Sequence, residues 1–367
     1  MKKRTKRTFA IHHWCGLIAG IFLLVISLSG SMLVFHDEID EFLFKKELSL
    51  GHTAQKLSID RSFEKIRSRY PGWEVRIPGL PEKENQALKY ELRKGNQRWW
   101  VVVHPGTGQV LHTFDRTDKR LVHVLLTLHY SFFGGTIGKV LVFICGVAFL
   151  TLLTTGVILY RKAILRVLLF RQQISFKSKR SFFSSLHRVL GVWGLLFNLL
   201  IVVTGLWTAN LVIASALKTT GAHIQTPPFL PSIDQVLKEV KTQMPTFEIN
   251  YLRFPAQASE NLQISGRLES DPAYYGKFYS RVQVDSRTGQ VIKVQLLRDK
   301  PWRERVTTVL TPLHFGNYAG LWVKILYTIG GLLPGILSLS GFLIWRYRSA
   351  GKSKHHHVKS LTLTRQK

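Results

Sequence analysis

Four of the fourteen histidines stand in matched surroundings, and their side chains are the ones best suited to chemistry. His12-His13-Trp14-Cys15-Gly16 is followed by Gly30, and His187-Arg188-Val189-Leu190-Gly191 by Gly205, at a constant offset of 175. Leu128-His129-Tyr130 answers Leu313-His314-Phe315 at an offset of 185, which also relates Lys139, Gly146, Gly156 and Arg161 to Lys324, Gly331, Gly341 and Arg346. Neutral imidazole is a good ligand for iron, and haem is commonly held by axial histidine. A planar porphyrin lying between equivalent helices would take one imidazole from each half. The expectation is therefore two haem sites, one ligated by His12 and His187 and the other by His129 and His314. Arg188, Lys139 and Lys324 are candidates to neutralise propionates, and Gly16, Gly20, Gly146, Gly191, Gly194 and Gly331 would let a macrocycle approach the backbone. The plainer alternative is that such histidines are polar anchors bonded to backbone at the membrane boundary. His13, about 100° round the helix from His12, reads as an anchor of that kind. His36 has Leu211 at its matching position and is open as a spare ligand or a substrate contact. His355-His356-His357 reads as a solvated cluster.

These residues need apolar helices to position them. With 46% hydrophobic residues and a formal charge of +29, the 367-residue chain carries four apolar runs, each about the 20 residues that cross a ~30 Å hydrocarbon layer. That excludes a soluble cytosolic protein. Residues 1–7, 161–188 and 346–367 hold twenty Lys/Arg and no acidic residue, whereas all 22 acids lie within 37–118 and 234–304. The positive-inside rule then places both termini and the 161–188 loop in the cytoplasm. The expected order is a basic N-terminus (1–13), spans at 14–36 and 139–160 enclosing an external domain (37–138), and a basic loop (161–188). Spans at 189–213 and 321–345 then enclose a second external domain (214–320), ahead of a basic tail (346–367). The first apolar run is longer than that of a cleaved signal peptide and reads as a retained anchor. Cys15 and Cys145 give neither a disulfide framework nor metal spacing.

Both halves begin and end inside, so the repeat is parallel, with its axis along the membrane normal. The external segments repeat as well. Ser58-Ile59-Asp60 answers Ser232-Ile233-Asp234, and Thr107-Gly108-Gln109-Val110 answers Thr288-Gly289-Gln290-Val291. Each segment is expected to open with a helix capped by Ser58 or Ser232. Strands near 73–77, 88–93 and 98–104 should follow in the first, and near 279–284 and 291–296 in the second, with a glycine-containing turn between the last two of each. Of Trp99-Trp100, one should be core and the other exposed. Trp193 sits deeper than the aromatic belt and is a candidate to pack on a cofactor, and Pro334 should kink the fourth span. Nucleotide, flavin and hydrolase motifs are absent from the sequence, so any electron donor is a separate molecule.

The His-Trp-x-Gly start of span 1, the Leu186-His187-Arg188 start of span 3, the Ser29-Gly30 and Thr204-Gly205 pairs and the two TGQV units together resemble the PepSY-associated transmembrane-helix family. The likeness runs over about residues 9–347. It implies four transmembrane helices as two parallel repeats, each with a small extracytoplasmic α+β PepSY-like domain, in a bacterial inner membrane with both external domains periplasmic. Some members resemble iron-uptake reductases that carry two b-type haems and reduce ferric siderophores. Carried over, that implies His12 and His187 for the inner haem b and His129 and His314 for the outer. His13 stands where the family commonly has Arg, which leaves the choice between His12 and His13 open, and Arg188 keeps the family residue. The implied partners are the lipid bilayer, a ferric siderophore or other metal chelate (copper chelates included), and a cytoplasmic or quinol electron donor, with no role for nucleic acid. A non-enzymatic module whose PepSY units bind peptide or protein is the competing reading, and four unbroken spans argue against a permease.

Overall fold

The computed structural model describes residues 3–50, 57–81, 85–95, 97–114, 120–217, 229, 231–257 and 259–364, with side chains described to residue 348. The elements in chain order are α1 (Lys3–Leu33), α2 (His36–Leu43), α3 (Lys45–Leu48), α4 (Ile59–Arg69), β1 (Glu74–Ile77), β2 (Leu88–Lys94), β3 (Gln97–Val103) and β4 (Val110–Phe114). Next come α5 (Leu121–Ser131), α6 (Gly135–Tyr160), α7 (Ile164–Leu168), α8 (Lys179–Trp193), α9 (Leu195–Leu217) and α10 (Ile233–Gln243). The chain finishes with β5 (Phe247–Arg253), β6 (Leu262–Leu268), β7 (Ser280–Val284), β8 (Val291–Gln295), α11 (Trp302–Phe315) and α12 (Gly320–Thr364). They form two compact units, a helical one (1–35, 125–216 and 313–367) and a sheet one (36–124 and 217–312).

In the helical unit α1, α6, α9 and the first part of α12 are long and apolar enough to cross a membrane. Helix α1 packs on α6 and α12, and α8 packs on α12. Ala19, Leu23, Cys145, Phe149, Leu153 and Val202 form the buried centre. Both cysteines are free thiols. Small residues bring α1 and α12 together: a Cβ on Gly331 would lie 2.7 Å from Ser31 Oγ, and one on Gly335 2.9 Å from Ser27 Oγ. Ser27 Oγ donates to Gly331 O (2.6 Å) and accepts from Gly335 N (3.0 Å). It thus bridges the carbonyl and amide that an uninterrupted helix pairs directly, beside Pro334, where α12 already lacks an N–H. The expected third span is in fact two helices: α8 stops at Gly194, whose N–H is taken up by Leu190 O and Val192 O, and α9 begins with the next residue. Likewise α5 is separated from α6 by Phe132 and Phe133, both at positive φ (47° and 60°).

The sheet unit is a single antiparallel sheet in the order β4-β3-β2-β1-β5-β6-β7-β8. The two segments of this unit meet at β1–β5, where Arg76 pairs with Arg253 and Ile77 with Leu252. On one face α4 contributes Ile59, Phe63 and Ile66, and α10 contributes Ile233, Val236 and Val240, to a core with Val75, Tyr90, Leu252 and Ile264. The other face carries charge at the seam. Glu74 accepts from Arg76 (2.8 Å) and, across it, from Arg253 (2.7 Å), while Tyr251 Oη donates to Glu91 (3.3 Å). Trp99 joins the core as expected, 4.7 Å from the Trp73 ring. Trp100 is not exposed; it is half-buried under the Arg120 guanidinium, 5.3 Å from its ring, and Arg120 pairs with Asp40.

Two carboxylates cross between the segments. Asp234 accepts from Ile59 N (2.9 Å) and Ser58 Oγ (3.2 Å) at the start of α4, and Asp60 accepts from Ser232 Oγ (2.6 Å) and Ile233 N at the start of α10. Ser58 and Ser232 meanwhile cap their own helices through Arg61 N and Gln235 N. Each helix start therefore has a serine from its own segment and a negative charge from the other, where the helix dipole favours one. Asp60→Ala and Asp234→Ala should each cost about 1–2 kcal/mol, measured by chemical denaturation with tryptophan fluorescence. The double variant should cost less than the two together, because both residues hold one contact.

Burial alone would raise the Glu91 carboxyl, but Arg93, with Arg98 and Arg76 behind it, outweighs burial and holds it below the usual range. The hydrogen bond from Arg267 holds Glu248 low as well. A carboxyl depressed in the folded state contributes stability that is complete above the unfolded pKa and disappears as pH falls through the folded one. The sheet unit should thus keep its stability down to about pH 4.3 and lose it progressively below that. Denaturation midpoints between pH 3 and 7 provide the check, and Glu91→Gln should weaken the dependence while lowering stability at neutral pH.

Candidate functional site

The helical unit brings the matched histidines together in two pairs. The His12 and His187 ring centres are 6.2 Å apart with planes at 88°, and those of His129 and His314 are 6.3 Å apart with planes at 41°. All four are half-buried. Along α1 the distance from His12 to Ser29, which contacts His129, is about 26 Å at 1.5 Å per residue. The pairs are separated by most of a ~30 Å hydrocarbon thickness.

Each imidazole docks on a Ser/Thr-Gly step of a neighbouring helix. His12 Nδ1 is 2.9 Å from Thr155 Oγ1, and His187 Nδ1 is 3.0 Å from Ser340 Oγ and 3.1 Å from Leu337 O. His129 Nδ1 is 2.9 Å from Ile26 O and 3.3 Å from Ser29 Oγ, and His314 Nδ1 is 3.2 Å from Thr204 Oγ1. A carbonyl can only accept, so Nδ1 carries the proton in His129 and His187. The same follows for His12 and His314, because the Thr155 and Thr204 hydroxyls already donate to Thr151 O and Leu200 O, both at 2.7 Å. Nδ1–H donates in every case, which leaves the Nε2 lone pair of all four rings available.

The glycine of each step faces the ring it supports. A Cβ would lie 2.6 Å from His129 Cε1 at Gly30 and 3.0 Å from His314 Cε1 at Gly205. At Gly156 it would lie 3.5 Å from His12 Cε1, and at Gly341 3.6 Å from His187 Cε1. Gly30 is required by contact and Gly205 is tight; the other two sit at ordinary van der Waals range.

Such a pair can hold one metal ion between its rings. A metal–imidazole bond of about 2.0–2.1 Å on either side, with the ring centre about 1.1 Å behind each nitrogen, puts the centres about 6.3 Å apart. Both observed separations agree with that. Among the described residues no group of three or more His, Cys, Asp or Glu is placed to hold a metal. The arrangement therefore suits an ion whose remaining ligands come with it, as the four nitrogens of a porphyrin do.

The other sequence candidates lie elsewhere. His13 stacks on Phe9 (6.0 Å, 4°) and meets the Trp14 edge, and His36 Nε2 lies 3.3 Å from the Asp37 carboxylate in the sheet unit. Arg188 donates to Ser184 O (2.9 Å) and lies over Tyr160, while Lys139 and Lys324 lie over Tyr130 and Phe35. Trp193 is half exposed and packs on Phe170, not toward either histidine pair. Sequence reasoning missed Thr155 and Ser340 as imidazole acceptors. Their signal was present, since Thr155-Gly156 and Ser340-Gly341 recur at the offset that relates His129 to His314.

Four helices long and apolar enough to cross a membrane, together with an antiparallel sheet, define a membrane protein of mixed α and β structure. The chain belongs to the family described as the PepSY-associated TM region, whose model matches residues 9–348 and so takes in all four paired histidines. A comparison with curated proteins finds no match.

Gly30→Ala should push the His129 ring off Ile26 O and Ser29, and lower the melting temperature in detergent by several degrees. Gly156→Ala and Gly341→Ala should leave it nearly unchanged. Thermal unfolding of the three variants side by side provides the comparison.

Proposed function

We propose that the protein is an inner-membrane electron conduit that holds two b-type haems and reduces a periplasmic ferric chelate of the siderophore kind. The observation that carries this reading is the doubled histidine pair: in both, Nδ1–H is tied to a helix backbone or hydroxyl and Nε2 is left to a ligand at a separation that fits one iron. When bound, haem supplies one-electron exchange between Fe³⁺ and Fe²⁺. The chain's own residues do the rest. Thr155, Ser340, Ser29 and Thr204 select the tautomer and fix ring direction, raising the basicity of Nε2. Apolar α1, α6, α9 and α12 exclude water around the pairs. Reducing the chelated metal would release it, because hard oxygen donors suit Fe³⁺ better than Fe²⁺.

The same reading takes the chain as two parallel repeats, each with one PepSY-like segment in the shared sheet, and places the sheet unit in the periplasm with both termini cytoplasmic. Its support is the sequence offsets, the even division of the strand order about β1–β5 and the exchanged aspartates. The electron donor is a cytoplasmic carrier or a membrane quinol.

Purified protein should contain two reducible b-type haems per chain, measured by pyridine haemochrome against protein concentration. His12→Ala with His187→Ala should remove one equivalent, and His129→Ala with His314→Ala the other. A folded, colourless preparation would sink the proposal.

A further inference from the structure

Between α6 and α8 the helical unit carries a segment that the electron-transfer reading does not use. Short α7 is closed off by Phe170, two residues past its end, a bulky residue at φ 55° whose N–H bonds to Val167 O (3.0 Å), while Arg171 N bonds to Arg166 O (2.8 Å). A left-handed residue closing a helix in this way is usually glycine, and a side chain there strains the backbone. The ring is not repaid by burial in the protein, since Phe170 is 73% exposed. Leu165 (70%) and Phe176 (80%) are exposed as well. What Phe170 does is stand against Trp193, with ring centres 5.2 Å apart, and wall a groove completed by Val167, Ile174, Phe176 and Val189. Two amides, Gln172 and Gln173, lie in the same groove.

The sequence around this rim is basic. Val167, Phe170, Phe176 and Val189 are each flanked in sequence by an exposed basic residue: Arg166, Arg171, Lys177 and Arg188. Arg188 is engaged by Ser184 O and the Tyr160 ring. Residues 161–188 contain no acid, and neither does any other part of the helical unit, so no carboxylate of that unit can neutralise the rim. An apolar slot formed by a basic stretch of chain without acids, in a membrane protein, calls for a ligand with a hydrocarbon chain and an anionic head.

We propose that this groove binds one anionic phospholipid, its acyl chain along Phe170, Ile174 and Trp193 and its phosphate at the Arg166, Arg171 and Lys177 rim. Val189 and Trp193 belong to α8, so the bound lipid braces the helix that carries His187. The proposal does not depend on haem.

The test uses the full chain, delipidated in detergent and offered phosphatidylglycerol or phosphatidylcholine with identical acyl chains, with bound lipid counted by native mass spectrometry. Phosphatidylglycerol should be retained at least about tenfold better, as two or more cations near a phosphate would give. The combined variant Arg166→Gln, Arg171→Gln, Lys177→Gln should erase that preference. Phe170→Gly should cut phosphatidylglycerol binding severalfold while the lipid-free protein melts no lower than wild type, because glycine relieves the backbone. Equal retention of the two lipids would overturn the proposal. So would full binding by Phe170→Gly, or displacement of phosphatidylglycerol by an equimolar uncharged quinone.

Discussion

An imidazole among apolar helices has two ring nitrogens to satisfy, and a polar group left unmet there costs about 1–3 kcal/mol. The helical unit answers half of that demand four times in the same way. A Ser or Thr turns its hydroxyl proton back onto its own helix, leaves its oxygen and a nearby carbonyl facing outward, and the following glycine lets the ring close in. The other half, Nε2, is left without a partner from those steps, in rings whose centres lie about 6 Å from their mates. Everything else in the unit follows from holding four such contacts in register over the length of α1.

Close approach of helices is what makes the register possible. Lipid-facing helices gain little from apolar contact alone, so packing depends on small residues and buried hydrogen bonds. Ser27 supplies both at once. Its small side chain lets α12 come near, and its hydroxyl takes the carbonyl and amide beside Pro334 that would otherwise be strained or open. A proline that looks like a defect in α12 is thereby part of the contact with α1, the helix that carries His12 at one end and Ser29 near the other.

Much of this was legible in the residue order, for reasons that differ between elements. The spans and the strands within 73–104 and 279–296 show through hydropathy and alternation, which are local signals. The histidine pairs show because equal offsets put equivalent residues at equal depth. The acceptors were missed because Thr155 and Ser340 meet rings more than 140 residues away, and the offset they share marks them as repeat positions without saying what they touch. The break at Gly194 was hidden inside a continuous apolar run, and α5 with the Phe132-Phe133 turn lay ahead of the run that marked the second span. The expectation that one of Trp99-Trp100 is exposed failed because alternation assigns a face but not its cover: Arg120, ahead of α5, lies over the Trp100 side chain. The crossing aspartates were read only as part of a repeated tripeptide.

Those aspartates carry a consequence for how such a chain can arise. Asp60 reaches the start of α10 while Asp234 reaches the start of α4, and β1 lies antiparallel to β5 beneath them. A contact in which one patch meets its own counterpart is isologous, the kind that joins identical subunits around a dyad. Either half made alone would present an unpaired strand edge and a helix start lacking its anion, both satisfied by a second copy of itself. The covalent link between the halves thus adds proximity to a self-complementary surface, and gene fusion of a homodimer is a sufficient route to the present sheet.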